Sequence, residues 1–252
     1  ECIRPCTPVQ NGMLAMFSNS NGKMYFNRIA LAQSAPLNTL CLKEAWLKVM
    51  AKHEMLRTGF IQLQDQKHPF AMITYREGVS DLPWFDAASS SLDTPLSQHA
   101  ENILKNLHLP PWYLISEGSD STTTLQFSAH HAIYDAQSLH LILADVASAY
   151  KGAGLSSAPS INTTLGPILT ESLIKSDEAE SFWREMSKDV QPTKFPDLHP
   201  FRMEKSELLV SSKLCLKPRK ALEDGCQMIG TTLQAAGQAA WARLLSAYIG
   251  EP

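Results

Sequence analysis

The chain has 252 residues, 22 of them Lys or Arg against 25 Asp or Glu, for a net charge of −3, and 44% are hydrophobic. That balance leaves no basic face to attract nucleic acid or an anionic lipid surface, and no apolar run approaches the roughly 20 residues of a membrane span. Five scattered cysteines (Cys2, Cys6, Cys41, Cys215, Cys226) without CxxC spacing, and a start "ECIRP" unlike a secretory leader, give the expectation of a cytoplasmic protein with reduced thiols and no metal site.

In chain order, residues 23–32, "KMYFNRIALA", have the aromatic and β-branched content of a strand. The stretch "LNTLCLKEAWLKVMAKHE" follows with Leu42, Trp46, Val49, Met50 and His53 at helical spacing. Strands are predicted at "LRTGFIQL" and "PFAMITY". Thr94 and Pro95 offer an N-cap and a first helical residue to a helix carrying Leu96, Ala100, Ile103, Leu104 and Leu107. Two further strands, "PWYLISEG" and "TTTLQFSAHH", are joined by the turn residues Gly118, Ser119 and Asp120, and a helix with Leu139, Ile142, Leu143, Val146 and Tyr150 on one face follows from Gln137. The class is α/β.

Residues 151–168, rich in Gly, Ser, Ala and Pro, predict a loop or inter-lobe connection, which divides the chain into 1–168 and 169–252. Beyond it, Ser176 is a candidate cap for a helix with Asp177, Glu178 and Glu180 in its first turn and Trp183 and Met186 on its apolar stripe. A strand "SELLVSSKLCL", a short helix opened by Pro218, and a helix from Thr231 to near Gly250 complete the reading. Leu233, Ala240, Trp241, Leu244 and Tyr248 on that last helix call for a sheet to cover, so the second lobe is expected to be incomplete and the face over 231–249 exposed.

The chemistry concentrates in "HHAIYDAQS", residues 130–138, at the end of a strand. Adjacent strand residues face opposite sides, so His130 and His131 cannot converge on one metal ion, and a metal site of His130, His131 and Asp135 is set aside. Two readings stay open. In the structural one, two satisfied histidines end a strand and Asp135 caps the next helix. In the functional one, one histidine is exposed for proton transfer, its neighbour is buried, and Asp135 bonds inward with Arg57 as its bidentate partner. Tyr134 and Ser138 flank the stretch as contacts for a substrate arm or as helix caps, the cap being favoured for Ser138. Met13, Met16, Phe17 and Met24 read as core filling rather than as a substrate passage. His53, His68, His99, His108, His140 and His199 show no site spacing.

Three stretches in order, "TPVQNGML" (7–14), "HEMLRTGF" (53–60) and "HHAIYDAQS" (130–138), resemble the condensation domains of nonribosomal peptide synthetases, with the flavour of the fungal siderophore-synthetase branch. "SDEAESFWREM" and "TTLQAAGQAAWARLLSAYIGEP" are similar to that family's crossover and the opening helices of its second lobe. The resemblance implies a chloramphenicol acetyltransferase-like two-layer lobe, a mixed sheet with helices, at 1–168, and the crossover with only the opening part of a second lobe at 169–252. It maps the family's HHxxxDG motif onto His130, His131 and Asp135, with Arg57 and Asp135 as its structural ion pair and Ala136 in the place of the glycine.

The implied reaction is attack of an acceptor amine on a donor acyl thioester, with His131 as base or positioner of the amine. No intrinsic cofactor is implied, because phosphopantetheine arrives on donor and acceptor carrier domains. An adjacent adenylation domain and the remainder of the second lobe are the other implied partners, and the chain is expected to be a piece of a longer synthetase. Ala136 disfavours positive φ and narrows the approach to the backbone, which implies reduced activity. It also leaves two competitors: a non-catalytic condensation-like domain that docks carrier proteins, and a related acyltransferase with its site between subunits.

Overall fold

A computed structural model describes residues 2–33, 37–65, 68–86, 96–118, 123–190 and 218–249. In chain order it holds strand β1 (Cys2–Pro5), helix α1 (Pro8–Asn19), β2 (Phe26–Gln33), α2 (Thr39–Lys52), a 3-10 turn (Glu54–Arg57), β3 (Thr58–Gln62), β4 (Phe70–Thr74) and β5 (Trp84–Asp86). There follow α3 (Leu96–Lys105), β6 (Trp112–Gly118), β7 (Thr123–His130), α4 (Ala136–Tyr150), α5 (Ile161–Ile174), α6 (Ser176–Met186), α7 (Arg219–Met228) and α8 (Leu233–Ile249). No described helix is long and apolar enough to cross a membrane.

The α/β architecture expected from the sequence is present as two sheets with helices, one in the order β1-β4-β3 and one in the order β2-β7-β6-β5. All pairings are antiparallel except β5 with β6. The larger sheet positions the site, because β2 and β7 run in register from Gln33 opposite Thr123 to Phe26 opposite His130. Helix α2, capped by Asn38, lays Leu42, Ala45, Trp46, Val49 and Met50 into the core. Trp46 stacks on Phe127 of β7 at 5.7 Å and lies 5.8 Å from Trp112 of β6. Burial of such aromatic area, worth several kcal/mol per side chain, holds helix to sheet. Gly59 of "LRTGF" is fixed by a close approach: a Cβ there would stand 1.9 Å from the carbonyl oxygen of His108.

Contacts divide the chain into two compact units, Glu1–Ser176 and Asp177–Pro252. The expected connection over 151–168 is open only to Ser160. Helix α5 begins at Ile161 and continues through Pro167, so residue 168 lies inside a helix. Ser160 supports its start by accepting from the backbone N–H of Thr163 at 3.3 Å. Helix α1 and the strands β1 and β5 were not expected. Helix α1 forms despite Asn11 and Gly12 because Thr7 and Gln10 make a capping box, Pro8 stands at its start, and Leu14 and Phe17 are buried. Of the four residues weighed as core filling, Phe17 is buried, Met13 is half-buried, and Met16 and Met24 are exposed. The last helix starts at Leu233, and Thr232 rather than Thr231 takes the backbone N–H of Ala235 at 3.1 Å. The cap at Thr94 and Pro95, the turn at Ser119 and Asp120, the strand over 206–216, Cys215 and His199 lie outside the described residues.

Candidate active site

Strand alternation separates the two histidines. His130, the last residue of β7, is fully buried, with its ring 4.6 Å from that of Phe17. Its Nδ1 accepts from the backbone N–H of Ala132 at 3.1 Å, which assigns the proton of the neutral ring to Nε2. Burial, and then the neighbouring imidazole of His131, push the His130 pKa down to about 4, so this ring is neutral near pH 7.

His131 sits just past the strand and is half-buried. Its backbone N–H donates to the carbonyl of Tyr25 at 2.8 Å, and its ring stacks on that of Tyr134 at 4.8 Å and 20°. No ring nitrogen of His131 is engaged by a described residue, which leaves the imidazole free to exchange a proton or to hold an amine. Tyr134, 8% exposed, packs its ring against Phe127 and accepts at its hydroxyl from Nδ2 of Asn27 at 2.9 Å. Burial raises the Tyr134 pKa, and the Asn27 bond opposes this.

The loop is also held from the start of the chain. Gln10, the third residue of the α1 capping box, accepts at Oε1 from the backbone N–H of Thr7 at 2.9 Å. Its Nε2 donates to the carbonyl of Ala132 at 3.0 Å. The Thr-x-x-Gln spacing of "TPVQNGML" therefore ties α1 to the histidine loop.

The expected ion pair between Arg57 and Asp135 is not formed. Arg57, buried at the end of the 3-10 turn, spends its guanidinium on three carbonyls, donating to Met50 at 3.0 Å, to Ala51 at 3.2 Å and to Tyr75. Asp135 is exposed and caps α4, accepting from the backbone N–H of Ser138 at 2.7 Å, while the Ser138 hydroxyl accepts from the Asp135 N–H at 2.7 Å. Bonds to the carboxylate, first from the Ser138 backbone N–H and then from the Ser138 side chain, hold the Asp135 carboxyl below its usual range. A helix N-terminus satisfies the charge, so no buried cation is required. Ala136 is the exposed first residue of α4 and has no positive φ. The concern that its Cβ strains the backbone does not apply.

His53, without site spacing in the sequence, pairs with Asp145 at 2.6 Å beside Lys52 at 2.8 Å. Burial raises the Asp145 pKa, but the bonds from Lys52 and His53 outweigh it and hold the carboxyl low.

The condensation domain family model matches residues 2–251. The chain belongs to the condensation domain family. It is 44% identical over 256 residues to the nonribosomal peptide synthetase sidC of Arthroderma benhamiae, covering 100% of this chain and 5% of that protein. It is 29% identical over 265 residues to the hydroxamate-type ferrichrome siderophore peptide synthetase of Schizosaccharomyces pombe, again covering 100% of this chain and 5% of the relative. The chain thus spans about 5% of the length of these relatives. Among solved structures, the condensation domain of the Monacolin K polyketide synthase MokA shares the fold at a TM-score of 0.66 and 15% identity, over 99% of this chain and 60% of that one. The first condensation domain of the calcium-dependent antibiotic synthetase does so at 0.64 and 16%, over 99% and 62%.

Proposed function

We propose that this chain carries the histidine-bearing part of a catalytic condensation domain in a nonribosomal peptide synthetase of the siderophore type, acting in the cytoplasm. Residues 1–168 are its N-terminal lobe, and residues 169–252 are the crossover and the start of the second lobe. The donor acyl group and the acceptor amine are each tethered by phosphopantetheine to a carrier domain. An adenylation domain and the rest of the second lobe are the remaining partners.

In the reaction the acceptor nitrogen attacks the donor thioester carbonyl, the C–N bond forms, and the C–S bond breaks to release the donor carrier's thiol. The proton leaving nitrogen passes to the departing sulfur, with His131 carrying it or holding the amine in line. His130, buried and neutral, supports the strand end, and Asp135 fixes the helix that follows. Holding two tethered reactants in line is worth up to roughly 7–11 kcal/mol, so the demand on His131 is limited to proton management.

The observation that carries this reading is the half-buried His131 ring with free nitrogens beside a fully buried partner. Replacing His131→Ala in the full-length protein is expected to abolish product formation while carrier loading continues. Turnover at the parent rate overturns the reading.

A further inference from the structure

We propose that Tyr134 and Asn27 are positioning residues for the His131 imidazole, an inference that rests on His131 being the proton-handling group. A histidine one residue beyond a strand has its backbone at the end of a ladder and a ring free to turn about two bonds. Here both freedoms are removed from one short segment at the start of β2. The carbonyl of Tyr25 takes the His131 N–H at 2.8 Å, and the amide of Asn27, two residues on, donates to the Tyr134 hydroxyl at 2.9 Å. The Tyr134 ring in turn lies over one face of the His131 ring at 4.8 Å and 20°.

The register explains why the segment can do both. Phe26 stands opposite His130 and Asn27 opposite Ala129, so Tyr25 and Asn27 bracket the strand end that carries the pair. Tyr25 adopts φ +61°, the left-handed region that a residue with a Cβ enters at a cost. That strain coincides with the aim of its carbonyl at His131, as backbone strain at functional sites does.

Packing alone does not require the second contact. Tyr134 is buried, and its edge contact with Phe127 at 6.0 Å would serve a phenylalanine as well. The hydroxyl and the otherwise exposed Asn27 add direction. They pin the tyrosine ring, and the ring pins the imidazole, covering one face and leaving both nitrogens open. The expected result is a ring held near one orientation toward the reacting amine, which affects the rate of the bound complex rather than the affinity for carriers.

The test uses the full-length protein with both carrier domains loaded, and compares Tyr134→Leu, Tyr134→Phe, Asn27→Ala and the double variant Tyr134→Phe with Asn27→Ala. Loss of the ring is expected to lower kcat by about 100-fold with KM for the acceptor carrier within about twofold. Tyr134→Phe keeps the stack and recovers about ten- to thirtyfold of that loss. Asn27→Ala and Tyr134→Phe each lower kcat by about three- to tenfold, and because both remove the same hydrogen bond the double variant is no slower than either. Carbethoxylation of His131 by diethyl pyrocarbonate, followed by peptide mass spectrometry, is expected to be faster in Tyr134→Leu than in the parent and restored in Tyr134→Phe.

A rise in KM with kcat intact, additive losses in the double variant, or an unchanged His131 modification rate in Tyr134→Leu overturns the inference. If Tyr134→Leu fails to fold, Tyr134→Phe and the exposed Asn27→Ala still decide through their additivity. If His131→Ala stops turnover while Asn27→Ala and Tyr134→Leu run at the parent rate, this inference fails and the role of His131 stands. If His131→Ala turns over normally, the underlying reading is what has failed.

Discussion

Trp46 and Trp241 each stand near the middle of a helix, α2 and α8, on its apolar stripe, yet Trp46 is 0% exposed and Trp241 is 59% exposed. Helix α2 has a sheet to lie on, and Trp46 meets Phe127 and Trp112 there. Among the described residues of the unit 177–252 no strand is present, and Cys226 is its one buried residue. An amphipathic pattern defines which face of a helix wants cover. Whether that face gains stability depends on a partner layer, which the pattern does not supply.

The widest expected gap between the two units follows from that pair. Trp46→Ala is expected to destabilise the first unit by about 3–5 kcal/mol, through lost aromatic burial and the cavity left among Phe127 and Trp112. Trp241→Ala is expected to change stability by no more than about 0.5 kcal/mol, the usual size of a surface substitution. Urea unfolding of both variants gives the comparison. An equal loss at the two positions means that α8 is covered in solution, and the contrast disappears.

Acid should act on the first unit, because every described histidine lies in it. His130 is held neutral down to about pH 4 in the folded chain, while an unfolded imidazole titrates near 6.5. Between those values the unfolded state binds more protons, so stability is complete above pH 6.5 and falls as the pH drops toward 4. At 1.36 kcal/mol per unit the loss from His130 is about 3 kcal/mol. His130→Asn keeps an acceptor for the Ala132 N–H and cannot take up a proton. Its urea midpoints at pH 7, 5.5 and 4.5 should therefore fall less steeply than the parent's. Parallel pH slopes in the two proteins would assign the acid sensitivity to other groups.

Much of the first unit was legible because its elements obey one period at a time. β2, β6 and β7 are short apolar runs bounded by turn residues, and α2 and α4 repeat every three to four residues. Helix α1 was not legible, since Asn11 and Gly12 weaken the pattern and its stability comes from a two-residue capping box and two buried side chains. Helix α5 was hidden by Gly166 and Pro167 in its middle, and β5 is three residues long, too short for any period.

At the site, strand alternation separated the half-buried from the buried histidine. Gln10, Tyr25 and Asn27 reach the histidine loop, and the Tyr134 it carries, from across the fold. The Gln10 bond to Ala132 spans 122 residues and the Asn27 bond to Tyr134 spans 107. No local pattern records such distances. A guanidinium satisfied by three carbonyls leaves even less trace, which is why Arg57 invited a carboxylate partner.

The charged side chains give the smallest and most discriminating contrast. Arg57→Ala leaves the carbonyls of Met50, Ala51 and Tyr75 without their donor, and orphaning buried groups bonded to a charge is expected to cost about 2–3 kcal/mol. Asp135→Ala removes an exposed N-cap, worth about 1 kcal/mol. In the second unit, Arg219 makes an exposed pair with Glu223 four residues on, and its removal is expected to cost at most about 0.5 kcal/mol. Because Arg57 and Asp135 share no partner, their double variant should lose the sum of the single losses within about 0.5 kcal/mol, measured by chemical unfolding. A coupling above about 1 kcal/mol would mean that the two residues meet in solution. The cap on α4 would then be a second role for Asp135, and the three carbonyls would no longer account for Arg57.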